Sequence, residues 1–409
     1  MAMAAVIAGP SGAFALEVVP VFNATLMGGQ YIFQGTRSDL GLDASVLAAP
    51  VLRQSDQWSF VPIYAGNYQG TKGVNDGVAA GTVFQQEMDH RVSLTTIDSV
   101  PGTNWKIKPS LSYKREFLLE TKDESWGHGL FDYEKIGFGA EAENVYKDPF
   151  SYRIGLDIFR IRFPNFQSLE SQTGTDPLGN PLQRENAGTN VLDTYNYELS
   201  VSGARPYPYD DPKVSLQGGY SILYQDYGNE ALVDTRGQLG TSTRQDFLQT
   251  WSASVGYPKP VRLFGEDCRL DSSFGVNFAL NLSNQNTFDA TQTQFIGNSY
   301  SYLDVGLGPT ATLAWGDKKR PAAVSANLRY DWTTYFGRQA QDGSGLYTGS
   351  LQRQERYGFG IDYRYPIAPQ FYLKAQANVL FVRSNNQFET TYSYNYTTEN
   401  YLLGFTYEY

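Results

Sequence analysis

Residues 401–409 read YLLGFTYEY and end the chain. Tyr401, Leu403, Phe405, Tyr407 and Tyr409 occupy alternate positions, with Leu402, Gly404, Thr406 and Glu408 between them. Successive side chains of a strand point to opposite faces, so a strand here carries an aromatic and apolar ladder along one side. The last residues of a soluble domain are commonly frayed and polar. Here the ladder runs into the final residue. The edge strand of a large soluble β-domain would show the same pattern, so the remainder of the chain has to decide.

The same alternation recurs upstream. Trp105, Ile107, Leu111, Tyr113 and Phe117 alternate with Lys106, Lys108, Ser112, Lys114 and Glu116. Leu270, Phe274, Val276, Phe278 and Leu280 alternate with Arg269, Asp271, Ser273, Gly275 and Asn277. Tyr357, Phe359, Ile361, Tyr363 and Tyr365 alternate with Arg356, Gly358, Gly360, Asp362 and Arg364, and Phe371, Leu373 and Val379 with Tyr372, Lys374 and Asn378. Period-two segments bounded by Gly, Pro, Asn and Asp clusters predict strands. They fall at 16–34, 39–52, 56–69, 81–98, 104–121, 130–147, 151–164 and 191–207, then at 212–227, 243–257, 267–284, 297–315, 321–337, 350–366, 369–385 and 393–409. That makes about sixteen, an even number.

Tight links are expected at 54–57, 101–103, 147–149, 210–212, 316–321 and 366–369, with a slightly longer one at 258–267. Between them lie longer links at 70–80, 122–129, 164–190, 228–244, 285–297, 338–349 and 384–392. Short and long alternate, as in an up-and-down barrel that has short turns at one end and long loops at the other. Greek-key crossovers in a sandwich would break this rhythm, and a propeller would repeat a blade signature every forty to fifty residues or so.

Composition points the same way. The 409 residues include 40 Gly, 30 Tyr and 24 Phe, and the mean hydropathy is negative. No stretch approaches the roughly twenty apolar residues of a membrane helix. A barrel strand needs only about ten residues with alternate positions apolar, and tyrosines suit the two interfacial girdles. The net charge of −10 argues against a nucleic-acid partner. A lone Cys268 allows no internal disulfide or cysteine-based metal cluster, and His90 and His128 are the only histidines. No metal or cofactor is expected. No G-x-S-x-G elbow and no phosphate loop leading into a helix occur, so no enzyme is expected either.

The terminal ladder resembles the carboxyl-terminal strand of bacterial outer-membrane β-barrels, which their assembly machinery reads. That family usually ends in Phe or Trp, and Tyr409 departs from it. The resemblance implies an all-β transmembrane antiparallel up-and-down barrel over residues 16–409, in a bacterial outer membrane, in contact with lipid and lipopolysaccharide. It also implies a periplasmic end with the tight turns, and an assembly signal at Tyr401, Leu403, Phe405, Tyr407 and Tyr409. Residues 1–15, MAMAAVIAGPSGAFA, read as a signal peptide with its start trimmed, since Ala13-Phe14-Ala15 fits a small-x-small cleavage site but no base precedes Arg37.

A barrel of this width is expected to enclose an aqueous or plugged lumen. The inward candidates divide into two groups. Glu87, Asp89, Glu116, Glu120, Glu141 and Glu143, with Arg91, Lys106, Lys108 and Lys114 among them, lie on early strands. Arg269, Arg329, Arg356, Arg364 and Lys374, partly matched by Asp271, Asp331 and Asp362, lie on late ones. Opposed acidic and basic walls would set up a transverse field; ion pairs within each wall would not. The link 164–190 is the longest and a candidate constriction loop. In general porins, which the strand count resembles, that loop is the third external one; here it would be the fourth. Acids in expected loops (Asp76, Asp123, Glu124, Asp176, Glu185, Asp226, Glu230, Asp234, Asp342) carry no twelve-residue calcium pattern.

Three functions stay open on the sequence. One is a porin-like pore for passive diffusion of small polar solutes. A second resembles the sixteen-stranded barrels that follow helical-repeat scaffolds in polysaccharide export, a conduit for an exported polymer or protein. The third is a structural or adhesive surface barrel. Assembly into a homo-oligomer also stays open.

Overall fold

The computed structural model describes residues 5–7, 16–34, 37–70, 78–79, 86–119, 124–145, 151–168, 188–206, 214–263, 265–289, 292–389 and 392–409. Sixteen antiparallel strands close into one barrel. In chain order they are β1 (Phe22–Phe33), β2 (Arg37–Ala48), β3 (Trp58–Gln69), β4 (Gln86–Ser99), β5 (Trp105–Leu119), β6 (Tyr133–Val145), β7 (Ser151–Arg162) and β8 (Thr194–Pro206). They continue as β9 (Ser215–Val233), β10 (Leu239–Leu263), β11 (Glu266–Ser283), β12 (Tyr302–Asp317), β13 (Arg320–Gln341), β14 (Tyr347–Ala368), β15 (Phe371–Ser384) and β16 (Tyr396–Glu408). Each pairs with its chain neighbour, and β16 pairs with β1 from Thr398↔Phe33 down to Glu408↔Asn23. The seam extends to the last residue, because Phe22 and Tyr409 exchange backbone hydrogen bonds of 3.0 and 2.8 Å. Every expected strand has its counterpart. Below the seam, Leu16–Val19 pairs with Val51–Arg53 and with Ala5–Ile7; residues 1–4 and 8–15 of the expected signal peptide lie outside the described residues.

Closure explains why strands so rich in polar residues hold together. A closed sheet has no unpaired edge, so backbone donors and acceptors are satisfied even where no water reaches them. Two ladders skip residues beside a proline without a change of register. The β12–β13 register skips Gly308 and Pro309, and the β4–β5 register skips Lys108 and Pro109. Proline has no N–H to donate, so the ladder resumes only past it.

The terminal strand shows which way the faces point. Tyr401, Leu403 and Phe405 are 43, 58 and 46% exposed, while Leu402 and Thr406 between them are 4 and 3% exposed. Leu26, Leu94, Leu111, Ile136, Leu156, Leu199, Phe274, Leu328 and Phe359 are likewise exposed, and of these Leu111, Phe274 and Phe359 lie on the faces expected to be apolar. An apolar surface that runs round a whole barrel exceeds what a soluble monomer presents. It faces hydrocarbon. Rings mark its lower border: Trp105 meets Tyr152 at 5.1 Å, and Phe371, Phe405, Tyr407 and Phe22 form a chain of ring contacts. This is a transmembrane β-barrel.

Three expected links turn out to be largely strand. β9 and β10 run to Val233 and from Leu239, so the expected link 228–244 reduces to a five-residue turn, 234–238. Similarly β13 and β14 run to Gln341 and from Tyr347, leaving 342–346 of the expected 338–349. β10 continues through Pro258 and Pro260 to Leu263. These prolines read as a turn signal, yet β9 pairs with β10 only as far as Gly256. Beyond that point β10 has no second neighbour among the described residues, and at such an edge a missing N–H costs nothing. Asp226 and Glu230, expected in a loop, therefore belong to β9. Residues 169–187 of the expected constriction loop, the expected turns at 147–149 and 210–212, and Asp76, Asp123, Asp176 and Glu185 lie outside the described residues.

Candidate functional site

The face opposite the exposed apolar belt bounds the lumen, and the expected inward charges share it. Glu87 and Asp89 are on β4, Lys106, Lys108, Lys114 and Glu116 on β5, and Glu141 and Glu143 on β6. Arg269 is on β11, Arg329 on β13, Arg356 and Arg364 on β14, and Lys374 on β15. In a ring of sixteen, β5 and β13 stand across the barrel from each other.

Counter-ions come from within each wall. On the β4–β7 side the Lys108 amine bridges Glu141 at 2.8 Å and Glu143 at 2.6 Å, and Arg153 on β7 donates to Glu143 at 2.9 Å. Lys114 meets Glu116 at 2.7 Å and Asp89 at 3.9 Å, and also donates to the Tyr133 hydroxyl. Across the lumen, Arg269 pairs with Asp271 at 2.7 Å and Arg329 with Asp331 at 2.5 Å. Arg356 on β14 reaches Asp304 on β12 at 3.3 Å. Arg364 reaches Glu408 on β16 at 2.6 Å and lies 3.6 Å from the centre of the Tyr372 ring. Lys374 lies directly opposite Arg364 in the ladder. Lys106 lines a small cavity at the end with the short turns, with Glu17, Arg53 and Ser59. Glu120 lies outside the described residues. The other five carboxylates expected on the acidic wall stand with Arg91, Lys106, Lys108 and Lys114, so that wall carries little net charge. Locally matched charges keep the interior wet while weakening any field across it.

A second cluster lies towards the end with the long connections. Residues 284–289 and 292–301, between β11 and β12, fold against the extended β9–β10 and β13–β14 hairpins. Gln285, fully buried, donates to Glu230 at 2.8 Å and to the Ala231 carbonyl at 3.1 Å. Asn286 donates to the Val233 carbonyl at 2.9 Å, and the Tyr347 hydroxyl donates to Asp289 at 2.9 Å. Arg244 on β10 sits between the Tyr227 and Tyr300 rings, 4.1 and 4.2 Å from their centres, and is held by Asp246 at 2.5 Å and Glu230 at 3.3 Å. Arg338 on β13 donates to the Ser299 carbonyl at 2.6 Å and lies over Tyr300 and Tyr335. Together with inward groups of β9 to β14, this segment lines a half-open cavity of about 900 Å³. Residues 169–187 of the connection 164–190, expected to fold inward, lie outside the described residues.

Sequence reading misses Arg338 and Gln285 because both fall in stretches expected to be loop, and Arg244 because it sits where an expected loop meets an expected strand. A signal exists for the last: Arg244, Asp246 and Leu248 keep the inward parity of β10 without a break.

No family model matches the chain, and no curated protein does either. Several solved structures are similar. OccD3 (OpdP) of Pseudomonas aeruginosa is 8% identical, with 100% of this chain and 93% of that chain covered and a TM-score of 0.48. OmpT of Vibrio cholerae, an outer-membrane protein, is 9% identical over 99% of both chains, with a TM-score of 0.45. OpdQ of Pseudomonas aeruginosa is 9% identical over 96% of this chain and 98% of that chain, with a TM-score of 0.42.

Proposed function

We propose that this outer-membrane β-barrel is a porin-like channel, through which small polar solutes diffuse along a charged aqueous lumen. One observation carries the reading: a closed sixteen-strand wall is apolar outside, while the charges on its inner face are paired along the wall. A barrel of this width is too wide for side chains alone to fill. Walls lined with matched ion pairs suit water and small polar solutes and disfavour apolar ones. In this reading the barrel-assembly machinery takes the chain up through its terminal strand, and lipopolysaccharide surrounds the external half.

The test is conductance in planar bilayers. The folded barrel is expected to conduct ions. Neutralising Arg329, Arg356 and Arg364 together should shift ion preference towards cations, since Asp331, Asp304 and Glu408 each lose the arginine they now meet. Neutralising Glu116, Glu141 and Glu143 should shift preference towards anions by exposing Lys114 and Lys108. Both shifts should fade at 1 M salt, where the screening length falls to about 3 Å. An inserted barrel that carries no current would overturn the channel reading. Current without a selectivity change in either variant would remove these residues from the conducting path.

A further inference from the structure

The external cavity has a lining unlike the rest of the lumen. Tyr227, Tyr300, Tyr302, Tyr335, Tyr347 and Tyr394 supply its aromatic surface, while Leu248, Ala279 and Ile296 are its only aliphatic contributors among the described residues. Side-chain amides make up much of the remainder. Gln352 and Gln354 are each 7% exposed, and among the described residues their amides have no hydrogen-bond partner. Two positions apart on β14, they stand on one face with Arg356 next in line. Neither amide is sealed from the cavity, so their donors and acceptors stay open to whatever occupies it.

Charge narrows what that is. Arg244 is met by Glu230 and Asp246, and Arg356 by Asp304. Arg338 spreads its charge over two tyrosine faces. Arg244, Arg338 and Arg356 line the cavity against Asp246 and Asp304, with Glu230 and Asp289 bonded just behind, so opposite charges nearly balance there. A ligand with a full charge would have to displace an existing pair, whereas a neutral one would not. Amides donate and accept side by side, matching vicinal hydroxyl groups, and tyrosine rings offer flat apolar faces with a polar tip. At about 900 Å³ the volume lies near the upper end of the roughly 300–1,000 Å³ usual for small-ligand sites.

The geometry points to a recognition site for a neutral oligosaccharide, its hydroxyls bonded to Gln352 and Gln354 and its ring faces stacked on the tyrosines. The inference rests on the channel reading for the ligand's route, and the site itself stands on the cavity.

The experiment uses the full chain refolded in detergent and calorimetric titration with maltohexaose, cellohexaose and chitohexaose. Oligogalacturonate of equal length serves as the acidic probe. At least one neutral sugar is expected to bind, and more tightly than the acidic one. Gln352→Leu/Gln354→Leu, similar in volume but unable to hydrogen-bond, should weaken that binding about tenfold or more. Heat-modifiable migration on gels checks that the variant is folded, and the single variant Gln354→Leu replaces it if it is not. No binding by any neutral sugar, tighter binding of the acidic one, or unchanged affinity in the folded variant overturns the proposal. Bilayer current, recorded on the same preparation, separates the two readings. Sugar binding without current would sink the channel alone, and current without sugar binding would sink only the site.

Discussion

Phe405 and Gly404, adjacent on β16, put opposite demands on the closing seam. Phe405 faces lipid, 46% exposed, and packs on Phe371 with ring centres 5.7 Å apart. Phe405→Asp places a carboxylate on the hydrocarbon side, at a cost of up to a few kcal/mol depending on depth. It also interrupts the aromatic ladder that the assembly machinery reads in our proposal. The expected outcome is loss of membrane-inserted, heat-modifiable protein from cells, and normal amounts of it would refute the assembly role. Gly404 looks inward, and a Cβ there would overlap the Leu26 carbonyl oxygen and come within 2.6 Å of the Met27 Cα. Backbone cannot move aside as a side chain can. Gly404→Val should therefore destabilise the β1–β16 seam by about 1–3 kcal/mol, as overpacking commonly does. Gly228→Ala, with nothing within 4 Å of its Cβ, is the matched control. The readout is the temperature at which the folded gel band disappears, and equal temperatures for the two variants would count against a tight seam.

At the scale of elements, the long hairpins depend on their turns. Asp342 closes β13–β14: its carboxylate accepts from the Ser344 hydroxyl at 2.6 Å and from the backbone N–H groups of Ser344 and Leu346. The Ser344 hydroxyl first, then these N–H groups, hold its carboxyl below the ordinary value of 3.8. A depressed folded value means that the turn's contribution to stability is fully present above the unfolded pKa. It is lost as pH falls through the folded one. A carboxyl titration by NMR in detergent should give a midpoint under 3.8 for Asp342, moving up in Ser344→Ala. A midpoint at or above 3.8 in the native chain would contradict the turn geometry. Asp234 closes the β9–β10 turn in the same way, accepting from the N–H groups of Arg236 and Gln238, and Gln285 adds a bond to Glu230 from outside that hairpin.

For the molecule as a whole, the order of short and long connections sets which end faces which compartment. The β12–β13 turn at Lys318 and the β13–β14 turn at Asp342 lie at opposite ends of β13. With Cys268 first replaced by serine, a cysteine at position 342 should react with a membrane-impermeant thiol reagent in intact cells. One at position 318 should react only after the envelope is opened. The reverse pattern would invert the barrel. Local counter-ions also bear on conduction. Removing one member of an inner ion pair leaves its partner exposed, so single-wall charge variants should alter selectivity more than the nearly neutral native walls suggest.

Strand number, strand order and the lipid-facing residues were legible in the sequence, because a period of two assigns every residue of a strand to a face once one face is known. Tyr401, Leu403 and Phe405 show this most plainly, and Lys108, Glu143, Arg329 and Arg356 follow by parity. The partners of those charges were not legible. Arg356 meets Asp304 two strands away, and Arg364 meets Glu408 on β16, choices set by strand stagger rather than by spacing along the chain. The external cavity lay further still beyond sequence. It needs bulged hairpins to bend inwards, with register shifts at Tyr227/Ala231 and Thr334/Gln339, and a loop whose Gln285 bonds to a residue 55 positions earlier. Alternation is a local property and survives in one dimension. Charge pairing and enclosure depend on which strands lie side by side and at what stagger, and only the closed barrel decides that.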